Sequence, residues 1–236
     1  MKKLTAATTV GITAVAMSVA LVACGSNTKT ATTTSTSTST STSTSISTTT
    51  SQAAPTTSTE AAGPNKTIQD YIKENQIVET PVHRGDPGSP NINLPTLPGW
   101  SDAGPSTPAR AYTALVYDQP PVPDDPPRIT AIVSKLTGNV DPAQILNYAP
   151  GQLKNLPGFQ GLDNGSKSTM GGFDAFQMAG YYMKDSTRRV RGQKTVVIPR
   201  QDVLYVLQLT ADGLDGALNT IMDATKVIDP QTTITF

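Results

Sequence analysis

Cys24 is the only cysteine among the 236 residues, and its thiol is the best nucleophile that the chain offers for forming a thioether. It directly follows Ala23 at the end of an apolar run over residues 4–22, and two lysines precede that run. A positive start, an apolar middle and small residues before a cleavage point are typical of a secretory signal peptide. We therefore predict a signal peptide over residues 1–23, cleaved between Ala23 and Cys24.

The Leu-x-Ala-Cys ending of this run resembles the lipobox of bacterial lipoproteins. In that group, the thiol at the position of Cys24 receives a diacylglyceryl group before cleavage exposes its amine. Two or more acyl chains hold a protein firmly on a membrane, at ~0.8 kcal/mol per buried methylene. We expect a lipid-anchored chain on the extracytoplasmic face of the cell membrane, in a periplasm-like space. Release of the chain from the membrane is a further alternative.

The alternative is an uncleaved transmembrane anchor with an incidental cysteine. Residues 4–22 are rich in Thr, Ala and Gly, so they are only weakly apolar for a helix that spans a bilayer. This composition favours cleavage.

Residues 24–64 are predicted to be the lipidated cysteine and a disordered tether. From Thr28 to Thr59 the chain is almost entirely Ser and Thr, and such a segment buries too little apolar surface to offset its ordering entropy. A flexible coil of this length spans on the order of 35 Å root-mean-square. The remaining residues, 65–236, are long enough for one globular domain.

Charge and cysteine content restrict the function classes. Removing residues 1–23 takes away two lysines and no acid, so the 18 basic residues fall to 16 against 18 acidic ones. This balance argues against non-specific nucleic-acid binding as a function. The domain has no cysteine of its own, so its core must stabilise it without a disulfide. We predict no cofactor and no metal.

The hydrophobic pattern predicts an α+β fold, with a single antiparallel sheet flanked by helices on both faces as a layered α/β/α sandwich. Thr67 and Asp70 form a capping-box pattern for a first helix, and Asp141 followed by Pro142 opens a second. Asp212 is predicted to cap the last helix. The inward residues of that last helix are predicted to be Leu214, Leu218, Ile221 and Met222.

Strands are predicted over residues 79–83, 110–118, 129–136, 173–184, 188–198, 202–210 and 232–236. The strand over residues 202–210 is apolar on both faces, which predicts a central strand that is covered on both sides.

No pattern of catalytic residues stands out. His83 is the only histidine, so no Ser-His or Cys-His arrangement forms, and we read it as solvated. The residues Gly165–Thr169 lack the order of a phosphate-binding loop and are read as a polar turn. A role in enzymatic catalysis is not expected.

Two charged clusters offer further candidate sites. Asp118, Asp124 and Asp125 could gather a calcium ion, but the prolines between them hold the loop extended and favour a solvated loop. Hydrolysis of sugars by a pair of aspartates stays open. The basic cluster comprises Arg188, Arg189, Arg191 and Lys194. It would suit phosphate head groups or an acidic partner, but a solvated sheet edge is the commoner case.

Tyrosine and methionine suit a lipid-binding slot, because methionine adapts its shape and tyrosine carries one hydroxyl on an apolar ring. Five such residues of the second half are the candidate ligand-lining residues: Met178, Tyr181, Tyr182, Met183 and Tyr205.

The sequence resembles the LpqN-type lipoproteins of mycobacteria over its whole length. Long runs carry the resemblance, at residues 62–72, 79–90, 153–161, 193–199 and 227–235. It implies a fold similar to the Mog1/PsbP group and a cell-envelope role in trafficking mycolic-acid glycolipids. It also implies association with the trehalose-mycolate exporter, with mycolyltransferases or with host proteins. Fold alone does not determine function.

Two hypotheses follow. The first is a non-enzymatic carrier or accessory factor that binds or hands over trehalose mycolates, with a long-chain lipid in a slot between sheet and helices. The second is a protein-interaction module, either an adaptor for envelope machinery or a ligand for host proteins.

Overall fold

The structure is a computed structural model that describes residues 63–236. The predicted signal peptide, Cys24 and nearly all of the predicted tether lie outside the described residues.

Four α-helices and eleven strands make up the described part of the chain, with single 3-10 turns at Gly104–Ser106 and Asp215–Ala217. The helices are α1 (Ile68–Glu74), α2 (Pro142–Tyr148), α3 (Gly151–Lys154) and α4 (Leu218–Gln231). The strands are β1 (Val78–Val82), β2 (Asn91–Asn93), β3 (Trp100–Asp102), β4 (Thr113–Tyr117), β5 (Arg128–Thr137), β6 (Gln160–Gly161), β7 (Ser166–Met170), β8 (Phe173–Lys184), β9 (Thr187–Arg200), β10 (Val203–Leu214) and β11 (Thr233–Thr235).

Nine of these strands form one antiparallel sheet in the order β3-β4-β5-β10-β9-β8-β6. The strand β1 also pairs with β5, and β7 also pairs with β8. The long strands β8, β9 and β10 follow one another as the predicted meander. Each of them pairs with its sequence neighbour over at least ten residues.

The central strand β10 has β5 on one side and β9 on the other. Its residues Tyr205, Leu207 and Leu209 belong to a core cluster that includes Ile221 of α4. Its residues Leu204 and Val206 belong to a second cluster, formed with residues of α1 and α2. Because side chains alternate along a strand, the two clusters lie on opposite faces of β10. The predicted central strand, buried on both faces, is confirmed.

The fold is confirmed as α+β with a large antiparallel sheet. Strand outweighs helix: α1 and α2 have seven residues each and α3 has four, so only α4, with 14 residues, is long. The fuller α/β/α sandwich, with a helical layer over each face, stays a prediction.

Two predicted helix starts are confirmed. The Thr67 hydroxyl accepts a hydrogen bond from the backbone N–H of Asp70, whose carboxylate accepts one from the N–H of Thr67. Asp141 likewise accepts a hydrogen bond from the N–H of Ala143 at the start of α2. Each cap satisfies helical N–H groups that have no partner within the helix.

The C-terminal predictions need correction. Asp212 does not cap a helix, because β10 continues through Leu214 and α4 begins at Leu218. Met222 is exposed instead of buried. The last strand pairs with β2 in a separate two-stranded sheet.

The predicted polar turn at Gly165–Thr169 is also wrong in part. Residues 166–169 lie on β7 and pair with β8.

The described domain begins with a clasp between two asparagines. The backbone N–H of Asn65 donates to Oδ1 of Asn155 over 3.0 Å, and Nδ2 of Asn155 donates to the carbonyl of Asn65 over 2.8 Å. Because Asn155 follows α3, the clasp fixes the first described residues to the body of the domain, next to α1.

Within residues 63–236, every helix is too short or too polar to cross a bilayer.

Candidate functional site: a cleft between the sheet and the last helix

A cleft of about 170 Å³ lies between the main sheet and α4. Its floor comes from β5, β8, β9 and β10, and its roof comes from α4 and from Leu162 and Asp163. Most of the lining is apolar. The apolar lining residues include Ile129, Val190, Leu209, Leu218, Ile221 and Met222.

Small residues on three neighbouring strands leave open space at the floor of the cleft. Gly192 of β9 pairs with Ala179 of β8 on one side and with Ala211 of β10 on the other. A Cβ atom added at Gly192 would meet only the Cβ of Ala179, at 3.8 Å. The space above this row is therefore open, and larger side chains on these three strands would close it.

One end of the cleft is polar. Lys194 of β9 reaches Asp229 of α4, with 2.7 Å between Nζ and Oδ2. Gln177 pairs with Lys194 across the strands and also lines the cleft. The ion pair joins the floor of the cleft to its roof.

Two exposed apolar side chains belong to the lining. Leu162 is 46% exposed and Met222 is 43% exposed. An apolar ligand in the cleft would cover part of both side chains, so their exposure is reduced when the cleft is filled.

The volume sets a limit on the ligand. An apolar cavity of about 150 Å³ accepts one benzene molecule, so the cleft at about 170 Å³ holds about six carbon atoms. Only a short section of a long acyl chain would therefore fit in the cleft.

A second hollow of about 220 Å³ is lined by Arg84, Trp100, Asp102 and Thr113, together with residues 93–97 and Leu115. Its lining is mainly polar, which suits an acyl chain less well. We therefore take the cleft under α4 as the candidate site.

The five predicted ligand-lining residues do not share one face of the sheet. On β8, strand alternation separates Met178 and Tyr182 from Tyr181 and Met183. Of the five, Met178 is among the residues that line the cleft. The Tyr205 hydroxyl donates to the carbonyl of Gly88 over 3.0 Å. Ligand binding by these five residues stays a prediction.

The remaining tyrosines and the second methionine have other contacts. The guanidinium of Arg188 lies 4.0 Å from the ring centroid of Tyr181, and Met183 is exposed. The Tyr182 hydroxyl donates to Asp212 over 2.7 Å. Burial and this hydrogen bond raise the pKa of Tyr182.

The basic cluster lies on the internal strand β9 and not on an edge strand, and only Arg188 of its four residues is exposed. Arg189 and Arg191 of β9 both donate to Asp212 on the neighbouring β10. Arg189 also forms an ion pair with Asp125, and its hydrogen bonds hold the pKa of that carboxyl below its usual range. The same pairing raises the pKa of Arg189.

Asp125 of the acidic loop and His83 each have another contact in the structure. Asp125 pairs with Arg189, and no three metal-ligating side chains gather anywhere within residues 63–236. His83 is exposed, with Nε2 at 3.2 Å from the carbonyl oxygen of Ala109.

The small residues of the cleft floor could not be predicted from the types of side chain that suit a lipid slot, because those are large. A pattern did exist, because Ala179, Gly192 and Ala211 each interrupt an otherwise bulky strand. Only the register between the strands places the three side by side.

The family described as "Probable lipoprotein LpqN" has a sequence model that matches residues 64–235. The chain belongs to this family. Lipoprotein LpqN of Mycobacterium tuberculosis is 54% identical over 245 residues, which cover 96% of this chain and 98% of the relative. The family resemblance stated from sequence is thereby confirmed.

A solved structure agrees with this assignment. The crystal structure of LpqN, described as involved in cell envelope biogenesis of Mycobacterium tuberculosis, is 57% identical and superposes with a TM-score of 0.70. The match covers 74% of this chain and 100% of that chain. The LpqN family is named for a lipoprotein and not for an enzymatic activity, and membership implies a membrane-anchored location in the cell envelope.

Proposed function

We propose that this LpqN-family chain is a non-enzymatic envelope lipoprotein that binds mycolic-acid glycolipids, such as trehalose mycolates, and hands them over. In this proposal Cys24 carries the lipid anchor, and the domain works on the extracytoplasmic face of the membrane. The relative's involvement in cell envelope biogenesis supports the setting. The cleft under α4 is the observation that supports the binding role.

The size of the cleft suits a carrier that must release its ligand. Six methylenes contribute about 5 kcal/mol when buried, at ~0.8 kcal/mol each. Association itself costs at least about 4 kcal/mol in lost freedom of motion. The net free energy of binding is therefore small. The complex is weak and exchanges quickly, as hand-over between a membrane and an outer layer requires.

The test compares the wild-type full chain with Gly192→Val, both purified from an actinobacterial host. Native mass spectrometry measures the fraction of protein that carries an acyl-trehalose. Valine suits a strand and places three carbons in the open space above Ala179. We expect at least a fivefold loss of bound lipid, on the order of 1 kcal/mol.

Thr80→Val is the matched control, because it adds a valine at an exposed position of the distant strand β1. It should keep the wild-type lipid content. A wild-type protein that carries no lipid and binds no added acyl-trehalose would refute the proposal. Equal lipid content in Gly192→Val and wild type would show that the cleft is not where the lipid binds.

The second candidate is a protein-interaction module, and the exposed side chains of Leu162 and Met222 favour it. Exposed apolar side chains next to a shallow cleft also suit a partner's side chain. Cross-linking in cells that traps protein neighbours through α4, with lipid assays blank, would decide for this alternative.

A further inference from the structure

The charged pair at the polar end of the cleft joins a buried group to a more exposed one. Lys194 retains 7% of its side-chain exposure, and Asp229 retains 34%. The ammonium is therefore shielded, while the carboxylate is the member of the pair nearer to solvent.

The charges of the cleft lining oppose an anionic ligand. The charged lining residues are Lys194, Asp163 and Asp229, so one positive charge stands against two negative ones. The single ammonium is already paired with Asp229 at 2.7 Å. A carboxylate or sulfonate that approached Lys194 would meet Asp229 first, and like charges in close contact weaken binding strongly.

An uncharged polar group meets a better arrangement. An ammonium has three donors, so Lys194 can donate to a ligand oxygen while it keeps its bond to Asp229. Gln177 lies beside Lys194 and provides both a donor and an acceptor. A hydroxyl or ester oxygen can therefore be bound here without separating the ion pair.

We infer that the Lys194–Asp229 pair is a specificity device: it admits amphiphiles whose polar group next to the chain is uncharged, and it rejects those with an anionic group there. This inference rests on the proposed function, in which the cleft takes a section of an acyl chain. Asp229 provides the rejection, and Lys194 provides the donor.

The test uses the full chain in phosphatidylcholine vesicles and two photoactivatable probes of equal chain length. One probe is a dodecyl glycerol ether, and the other is a dodecanesulfonate; each carries a diazirine in its chain. Peptide mass spectrometry measures the labelling of β9 and α4. The ratio of neutral to anionic labelling is compared between variants, so differences in how the probes enter the vesicles cancel.

We expect the Asp229→Asn variant to lower this ratio about tenfold, through increased labelling by the sulfonate, since it removes the repulsive charge and frees Lys194. Asp223→Asn is the matched control, because Asp223 lies on the same helix and pairs with Lys226 at 2.9 Å, with 73% of its side chain exposed. It should leave the ratio unchanged. Lys194→Met should reduce labelling by the glycerol ether without admitting the sulfonate.

One outcome would overturn the inference alone: the same ratio of neutral to anionic labelling in Asp229→Asn, Asp223→Asn and the wild type. Labelling of neither β9 nor α4 by either probe would instead refute lipid binding in the cleft, and the inference with it. Circular dichroism of each variant confirms that it is folded.

Discussion

Asp212 accepts four hydrogen bonds from three side chains, which makes Asp212→Asn an informative perturbation of the sheet. Arg189 donates twice to Oδ1, over 2.9 and 2.8 Å, while Arg191 and Tyr182 donate to Oδ2 over 2.8 and 2.7 Å. The exposed fractions of the side chains are 18% for Asp212, 12% for Arg189 and 27% for Arg191. The network is therefore mostly screened from water.

The expected loss in the free energy of unfolding follows from the interactions that the Asp212→Asn change removes. Asparagine keeps one oxygen acceptor but loses the negative charge. Its amide NH2 group would face the donor groups of Tyr182, Arg189 or Arg191. Breaking a buried ion pair costs about 3–5 kcal/mol. The partial exposure of Asp212, and the second carboxylate that Asp125 offers to Arg189, reduce this to about 3 kcal/mol of the free energy of unfolding. For a domain of this size, the midpoint of thermal unfolding falls by about 6–12 °C.

Thermal and urea unfolding, followed by circular dichroism, measure the effect. Asp174→Asn is the control, because Asp174 is an exposed aspartate on β8, which β9 separates from β10, and such a change stays within about 0.5 kcal/mol. A double-mutant cycle with Arg189→Gln should show strong coupling, since the two residues are in direct contact. If Asp212→Asn costs no more than Asp174→Asn, the network does not stabilise the sheet as we reason.

Two further predictions concern the anchor and the acid stability. Cys24→Ser should shift the chain from the membrane fraction to the soluble fraction of an actinobacterial host, because no thiol remains for the thioether; continued membrane retention would contradict lipid attachment at Cys24. The second concerns Asp125, whose pKa is lowered in the folded state by the hydrogen bonds of Arg189. Its stabilisation is present above about pH 4, the unfolded pKa, and is lost as the pH falls through the folded pKa. Asp125→Asn should therefore flatten the fall of urea stability below that pH, and an unchanged acid profile would count against the Asp125–Arg189 pair.

The sequence predicts elements well where the local pattern and the final contacts agree. The predicted strand at Phe173–Lys184 has the bounds that the structure gives it. Thr67 and Asp70 cap α1 because their partners are only three residues apart. The burial of both faces of β10 could also be predicted locally, because each face is apolar along the strand itself.

Prediction from the sequence fails where residues far apart in the chain determine the local structure. Asp212 precedes a helical pattern and reads as a cap, yet hydrogen bonds from Arg189 and Arg191 keep it in the strand. The strands β2, β3 and β6 have only two or three residues, too few for any periodicity. The cleft depends on the alignment of Ala179, Gly192 and Ala211 across three strands, and no local pattern specifies that register.

The asparagine clasp at the start of the domain has a mechanical consequence. A pull on residue 63 acts first on the bonds between Asn65 and Asn155, and then on α1, which packs with the core cluster on the other face of the sheet from the cleft. The hydrogen bonds of the long strands β8, β9 and β10 separate that point of attachment from α4. In the proposed lipid-anchored chain, tension through residue 63 would therefore be borne by the face of the sheet that packs against α1, and the cleft on the opposite face would keep its shape.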